Sequence, residues 1–384
     1  MWEFVKYGRT EERRGGMSRR QFGRIAMLLS AGATLPFYNE AALAQDMKTL
    51  SSIPPDAVKI NANENPLGPC PAALEAILQI APKAGRYLFD QTAAFVEAMA
   101  ATESLPTTHA LPGAGSSDLL HRCVLAFTSP ARPLVIADPG YEAPSGAAKF
   151  VGAKVIQLPL RSDHSHDTPA MARADTNAGM IYICNPNNPT GTVTKKEDLV
   201  SLVANKPQGC IVVVDEAYIH FASTTAPVTD LVAADKDVVV LRTFSKLYGM
   251  AGLRAGAALA RPDLLERLRS YSGFPAMPAT GMTGATASLA QKTLVAERRK
   301  ALADVREDLF DWLHKKGHSF IPSDANMVMI DTKRPGKDTA LAMLKHKVAI
   351  GRSWAAMPNH VRVTIGTRDE MAKFKTAFDR VMGA

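Results

Sequence analysis

Between His109 and Ala260 this chain alternates short apolar runs with polar turns. Pro133–Ala137, Lys154–Leu160, Met180–Cys184, Ile211–Asp215, Val238–Leu241 and Ala255–Ala260 each read as a buried strand, since such runs are too short and too β-branched for helices. Leu119–Phe127 and a stretch opening at Lys195 carry helical spacing instead, as do Pro71–Ile80 and Ala93–Thr102 upstream. Strand–loop–helix repetition of this kind predicts an α/β domain around a mainly parallel sheet, whose ligands sit at the carboxyl ends of the strands. Beyond Gly273 the texture changes. Thr280–Lys316 is Ala-rich and helical. Asn326–Ile330, Val348–Arg352 and His360–Ile365 then alternate with a helix near Thr339–Lys345 and a final amphipathic helix, predicting a smaller C-terminal α/β domain. His164 and His166 fall in a polar loop without metal-like company, so both are expected to face solvent and no metal is expected.

The N-terminus departs from this pattern. Ser18-Arg19-Arg20-Gln21-Phe22 is a twin-arginine sequence, followed by a moderate apolar run, Ile25–Pro36, and by Ala42-Leu43-Ala44, a small-x-small cleavage site. Residues 1–44 are therefore expected to be a signal peptide read by the twin-arginine export machinery, placing the protein in the periplasm; Met17 is an alternative start to Met1. The apolar run is shorter than the roughly 20 residues a membrane-spanning helix needs, so no stable span is expected. The remaining boundaries read as an N-terminal arm with part of the small domain at 45–85, a large domain at 86–275 and the small domain at 276–384.

Composition adds exclusions. The 384 residues are 46% hydrophobic and 21% charged, an ordinary globular balance. The net charge of +8 includes +3 from residues 1–44, and no basic run or aromatic–basic stripe lies beyond them, which argues against nucleic acid as a partner. Cys70, Cys123, Cys184 and Cys210 are scattered without metal-like spacing, and free buried thiols are expected.

Three local features carry chemistry. Gly113-Ala-Gly-Ser-Ser-Asp118 lacks the third glycine of a dinucleotide fingerprint, but it offers the backbone N–H groups of Ser116 and Ser117 at a helix start, a ready phosphate site. Asp215 closes a buried strand, a costly place for a carboxylate without a cationic partner. Lys246 leaves another strand beside Ser245, with Arg254 eight positions on; alone, it reads as a surface lysine in a turn, and only its company makes it a nucleophile. A phosphate cradle, a buried Asp and a nucleophilic Lys together match the requirements of pyridoxal 5'-phosphate.

With these features in place the chain, from about Lys59 onward, resembles the class I/II (fold-type I) pyridoxal-phosphate-dependent aminotransferases, and among them the histidinol-phosphate aminotransferase branch. The resemblance rests on Asn61-Ala-Asn-Glu-Asn-Pro-Leu-Gly-Pro69, Asn187-Asn-Pro-Thr-Gly191, Asp215-Glu-Ala-Tyr218, Thr243-Phe-Ser-Lys246, Gly252-Leu-Arg254 and Val361-Arg-Val-Thr-Ile-Gly366, in that order. It implies that Lys246 binds the cofactor aldehyde and then moves the substrate α-proton. It places Asp215 on the ring nitrogen, Asn188 and Tyr218 on the phenolic oxygen, Tyr141 on the ring face, and Ser116, Ser117, Ser245 and Arg254 on the phosphate. It assigns Arg362 to the substrate carboxylate and Arg352 to a substrate phosphate. Tyr87 resembles a tyrosine that reaches the cofactor of a neighbouring subunit, which implies a homodimer, although Leu88 stands where the family has proline. The implied reaction is ping-pong amino transfer between an L-amino acid, or histidinol phosphate, and a 2-oxo acid. Export would favour an accessible, large or aromatic amino acid. Two alternatives share these motifs: a threonine-phosphate-decarboxylase-like lyase and a non-catalytic binding protein.

Overall fold

In the computed structural model, residues 53–272 and 277–383 are described; the twin-arginine and cleavage-site sequences lie outside them. The strands, in chain order, are β1 (Val58–Ile60), β2 (Ala110–Gly113), β3 (Leu134–Asp138), β4 (Val155–Pro159), β5 (Met180–Cys184), β6 (Ile211–Asp215), β7 (Val238–Thr243), β8 (Gly256–Leu259), β9 (Phe320–Ile321), β10 (Met327–Asp331), β11 (Val348–Ile350) and β12 (His360–Thr364).

Seven of them form one sheet in the order β2-β8-β7-β6-β5-β3-β4. All neighbours are parallel except at β8, which runs against both β2 and β7. The expected mainly parallel α/β architecture is therefore the observed one. Strand periodicity accounts for the burial. Val212 and Val214 pack into one core together with Val238 and Val240. Val213, Val239 and Leu241, one position out of phase, pack into a second core on the opposite face. A sheet covered on both faces requires the continuous apolar runs seen in the sequence.

The C-terminal strands form an antiparallel sheet, β12-β10-β9. β1 pairs in parallel with β11, so the first described strand is tied to the last third of the chain. A separate core joins these strands to the helices Leu294–Lys316 and Arg368–Met382 through Leu309, Leu313, Phe374 and Phe378. The latter helix opens with a capping box in which Thr367 and Glu370 satisfy each other's backbone N–H groups.

Two helices begin earlier than their apolar spacing predicts. The first spans Phe89–Thr102, because Leu88 takes a left-handed turn (φ 55°) immediately before it and Asp90 suits the first turn. The second spans Ser116–Phe127, because Gly115 (φ 82°) breaks the chain direction just ahead of Ser116. That earlier start turns the Ser116 and Ser117 amides into helix-terminal donors.

His166 corrects the solvent assignment. It is 2% exposed, its ring Nδ1 lies 2.7 Å from Thr194 Oγ1, and its backbone N–H donates to the same oxygen at 3.1 Å. The polar loop folds over its own histidine, a closure that local hydrophilicity does not reveal. All four cysteines are free and buried, as expected.

Candidate active site

The sheet gathers its chemistry at one edge. β6 ends on Asp215; β5 runs out towards Asn188; β3 runs out towards Tyr141; β7 ends just before Ser245 and Lys246; β2 leads through Gly115 into the helix Ser116–Phe127. These are all carboxyl ends of strands sharing one direction. β8 runs the other way, so its beginning lies on the same edge and brings Arg254 there. Ser116, Ser117, Tyr141, Asn188 and Asp215 line one cavity of about 300 Å³, and Tyr218, Ser245, Lys246 and Arg254 line it too.

Each group is held by identifiable partners. Arg254 is itself left-handed (φ 53°), a conformation uncommon for a side-chain-bearing residue. Its Nη1 donates to Ser245 Oγ at 3.3 Å and to the Ala251 carbonyl at 2.9 Å, and its Nη2 donates to the Ala114 carbonyl at 3.0 Å. Burial draws the guanidinium below its ordinary pKa, with Tyr141 and Asp118 pulling it back. A methyl group on Gly115 would stand 2.3 Å from Arg254 Nη2, so the guanidinium closes directly over the bare backbone that opens the helix. Helix-terminal amides, a serine hydroxyl and an arginine on one wall form an anion cradle.

Opposite the cradle, Asp215 is 3% exposed. Tyr182 Oη donates to its Oδ2 at 3.0 Å, and the Ala217 N–H donates to its Oδ1 at 3.1 Å. Burial, followed by the Asp215 charge, raises the Tyr182 phenol well above its ordinary pKa, so the phenol remains the donor. Lys246 is 7% exposed; its Nζ lies 3.5 Å from the Ala62 carbonyl and 5.4 Å from the centre of the Tyr218 ring.

The segment Asn61–Asn63 stitches the C-terminal strands to this edge. Arg362 Nη2 donates to the Asn61 carbonyl and Nη1 to Asn188 Oδ1, both at 2.8 Å. Asn63, left-handed at φ 53°, takes a hydrogen bond from Thr364 Oγ1 at 3.1 Å and offers its Nδ2 to Tyr218 Oη at 3.2 Å. Arg362 thus joins the expected constellation through Asn188 rather than as part of the cavity wall.

Two expected residues stand elsewhere. Arg352 is paired bidentately with Glu142 and stacked on Trp354, its Cζ 4.1 Å from the ring centre. Tyr87 is 62% exposed and lies outside the cavity. Sequence reasoning overlooked Tyr182, Glu142 and a buried cluster behind β7. In that cluster Arg242, 1% exposed, binds Glu103 through Nε and Nη2, each at 2.9 Å, and Glu216 through Nη1. A tyrosine inside an apolar strand and an arginine opening a glycine-bearing loop were the available signals, since buried phenols and guanidinium groups require partners.

A doubly covered, mainly parallel sheet whose edge cavity is lined by a buried lysine, a buried aspartate and an anion cradle fits an enzyme that holds an anionic, carbonyl-bearing cofactor. The aminotransferase class I and II family model matches residues 55–378, and the chain belongs to that family. It is 33% identical over 330 residues to the histidinol-phosphate aminotransferase of Symbiobacterium thermophilum, covering 85% of this chain and 91% of the relative. It is 34% identical over 317 residues to the aromatic amino acid aminotransferase of Cutibacterium acnes, covering 81% and 88% respectively. The structure of histidinol-phosphate aminotransferase from Sinorhizobium meliloti in complex with pyridoxal-5'-phosphate superposes with a TM-score of 0.79 at 26% identity, covering 84% of this chain and 90% of that one.

Proposed function

We propose that this aminotransferase holds pyridoxal 5'-phosphate at the edge of its seven-stranded sheet and moves an amino group from an L-amino acid with a large side chain to a 2-oxo acid. The observation that carries the reading is the placement of Lys246, Asp215 and the Gly115–Arg254 cradle around a single 300 Å³ cavity. The donor set suits the cofactor in each part. Ser116, Ser117, Ser245 and Arg254 would hold the phosphate. Asp215, fixed by Tyr182, would keep the ring nitrogen protonated. Asn188 and Tyr218 would bind the phenolic oxygen, and Tyr141 would cover the ring.

When bound, the cofactor supplies an aldehyde that captures an amine and a ring that accepts the electrons of a broken α-C–H bond. Lys246, whose Nζ is at the cavity wall, would be the residue that holds the cofactor by its aldehyde in the absence of a donor. Arg362 then orients the donor by its carboxylate, for which a planar fork is suited. Lys246 Nζ, buried at the cavity wall, would take the α-proton and return it on the cofactor side. Water would then supply the carbonyl oxygen on which the donor leaves as a 2-oxo acid, its nitrogen staying with the cofactor, and a second 2-oxo acid would take that nitrogen by the reverse sequence.

The surface supports a homodimer. Leu74 and Leu78 on one helix, with Tyr87 and Phe89 next to it in sequence, are all exposed large apolar residues. Sedimentation of the purified chain at the mass of a monomer would remove that part of the proposal. Export to the periplasm is proposed on the twin-arginine sequence alone; fractionation of cells carrying an Arg19→Lys, Arg20→Lys variant tests it.

The decisive experiment is a donor screen on purified protein, following the conversion of the cofactor from aldehyde to amine. Aromatic amino acids and histidinol phosphate are compared in wild type and Lys246→Ala. Conversion in wild type and none in the variant is expected; equal conversion in both would refute the assignment of Lys246.

A further inference from the structure

The connection from β9 to β10 contains Ser323-Asp-Ala-Asn326, and three of these residues reach segments outside their own sheet. Asp324 is 8% exposed. Its Oδ2 accepts the backbone N–H groups of Ser223 and Thr224, each at 2.8 Å, and the Thr224 hydroxyl at 2.7 Å. Its Oδ1 accepts the Ser223 hydroxyl at 3.2 Å and lies 3.6 Å from Arg306 Nη1, which matches the charge. The Asp324 N–H donates to the Gly191 carbonyl at 2.9 Å, and a methyl group on Gly191 would collide with the Ser323 side chain. Asn326, fully buried, donates from Nδ2 to the Asn63 carbonyl at 3.1 Å.

Each segment held in this way carries, or touches, a group on the cavity wall. Gly191 closes a loop around Asn188: its N–H donates to the Asn187 carbonyl at 2.7 Å, and the Asn187 N–H donates to the Thr192 carbonyl at 2.8 Å. Ser223 and Thr224 follow Tyr218 through the buried turn Ile219–Phe221, in which the Phe221 N–H donates to the Tyr218 carbonyl at 3.0 Å. Asn63 donates to Tyr218 Oη at 3.2 Å. Asn188 and Tyr218 line the cavity; Asp324 does not. The two wall groups leave different strands, β5 and β6, and their loops share one anchor in the C-terminal sheet. A carboxylate that accepts several charge-assisted bonds is a stiff anchor, and hydrogen bonds at the wall weaken steeply when their donors tilt.

We propose that Asp324 is a positioning residue: through Ser223, Thr224 and Gly191 it holds Tyr218 and Asn188 in register with each other, and so sets how strongly the pair stabilises the ionised phenolic oxygen of the cofactor. This rests on the cofactor reading above and extends it to a residue outside the cavity.

The test compares full-length wild type, Asp324→Ala, Asp324→Asn and Thr367→Ala. Donors on the phenolic oxygen favour its ionised form, so loosening them raises the pH midpoint of the bound cofactor's visible absorption. Asp324→Ala is expected to raise that midpoint by about 0.5 or more and to weaken pyridoxal phosphate about threefold to tenfold. Asp324→Asn keeps a carbonyl oxygen for the Ser223 and Thr224 amides and should recover most of both changes. Thr367→Ala removes the cap of the helix Arg368–Met382 and controls for lost stability; it should lower the urea midpoint while leaving the absorption midpoint in place. An absorption midpoint in Asp324→Ala within about 0.2 of wild type, or an equal shift in Thr367→Ala, overturns the proposal. Ser223→Ala/Thr224→Val removes two donors from the other side and should give a smaller shift of the same sign, which carries the test should Asp324→Ala melt early; no shift there counts against Asp324. If wild type binds no pyridoxal phosphate, the cofactor reading fails, and amide hydrogen exchange in the cofactor-free chain decides the rest. Exchange at residues 187–191 and 218–224 should quicken about tenfold in Asp324→Ala and hold in Thr367→Ala; unchanged exchange in Asp324→Ala would show that Asp324 does not hold these loops.

Discussion

Arg362 and Asn188, 174 positions apart in sequence, are joined by a buried hydrogen bond of 2.8 Å from Nη1 to Oδ1. Arg362 belongs to the antiparallel C-terminal sheet and Asn188 to the loop leaving the central sheet, so one bond links the residue proposed to grip the substrate with one proposed to grip the cofactor. The two should behave as a unit. Arg362→Lys is expected to raise KM for amino acid donors about 10- to 100-fold, because an ammonium cannot serve Asn188, the Asn61 carbonyl and a carboxylate together. Asn188→Ala should weaken both donor and cofactor binding. Steady-state kinetics on the double-variant cycle should give strongly non-additive losses, and simple additivity would mean that the bond carries no coupling.

Tyr182 offers a subtler change. Its phenol donates to Asp215 Oδ2 at 3.0 Å from one strand over. Tyr182→Phe removes about 1 kcal/mol of support for the ionised carboxylate, so kcat should fall about fivefold with the fold intact. Far-ultraviolet circular dichroism and kcat measured together separate this outcome from simple loss of structure.

The central sheet was legible because β3, β5, β6 and β7 open as short, largely β-branched apolar runs bounded by polar turns. The small antiparallel sheet was less so, as β9 is only Phe320–Ile321 and offers no periodicity to read. Within the site, residues inside compact motifs were legible: Lys246, Asp215, Asn188 and Arg254 all reach one cavity. Their supports were not, because the partner lies far along the chain. Glu103 meets Arg242 across 139 positions and Glu142 meets Arg352 across 210. His166 was misread for the same reason, since the Thr194 hydroxyl that satisfies it arrives from 28 residues on.

Gly115 tests the cradle without touching a catalytic group. A methyl group there would collide with the Arg254 guanidinium, and the backbone at φ 82°, ψ 167°, a region essentially confined to glycine, adds strain of about 1–3 kcal/mol. Gly115→Ala should raise the cofactor dissociation constant about tenfold or more, read by equilibrium dialysis, while unfolding in urea shifts only modestly. Unchanged cofactor affinity would show that the phosphate lies elsewhere.

The Arg242 cluster predicts a stability effect with a pH signature. Burial raises the pKa of Glu216 despite the Arg242 charge beside it, whereas the same cation, outweighing burial, holds Glu103 below the usual carboxylate range. Arg242→Met would leave both carboxylates in a dry site, at a cost of about 3–5 kcal/mol at neutral pH. Both groups would then take up protons more readily, so the deficit should shrink as pH falls towards 5. Urea unfolding at two pH values measures this; a deficit under about 1 kcal/mol, or one that grows on acidification, contradicts the assignment.

His166 sets an acid limit on the fold. Burial pushes its pKa down from about 6.5 to about 4, so the folded protein keeps the ring neutral while the unfolded chain binds a proton. The sign follows from that difference: stability is fully present above about pH 6.5 and is lost as pH falls towards 4. The whole effect is worth about 3 kcal/mol, of which about 2 kcal/mol is gone by pH 5. His220 acts in the same direction, pushed to about 3 by burial and by the neighbouring Arg242 charge. His166→Gln has no ring to protonate. Its unfolding free energy should therefore fall less than that of wild type between pH 7 and pH 5, by about 2 kcal/mol, even if it starts lower. Urea titrations of both proteins at those two pH values give the comparison directly, and parallel losses would show that His166 is not the group taking up the proton.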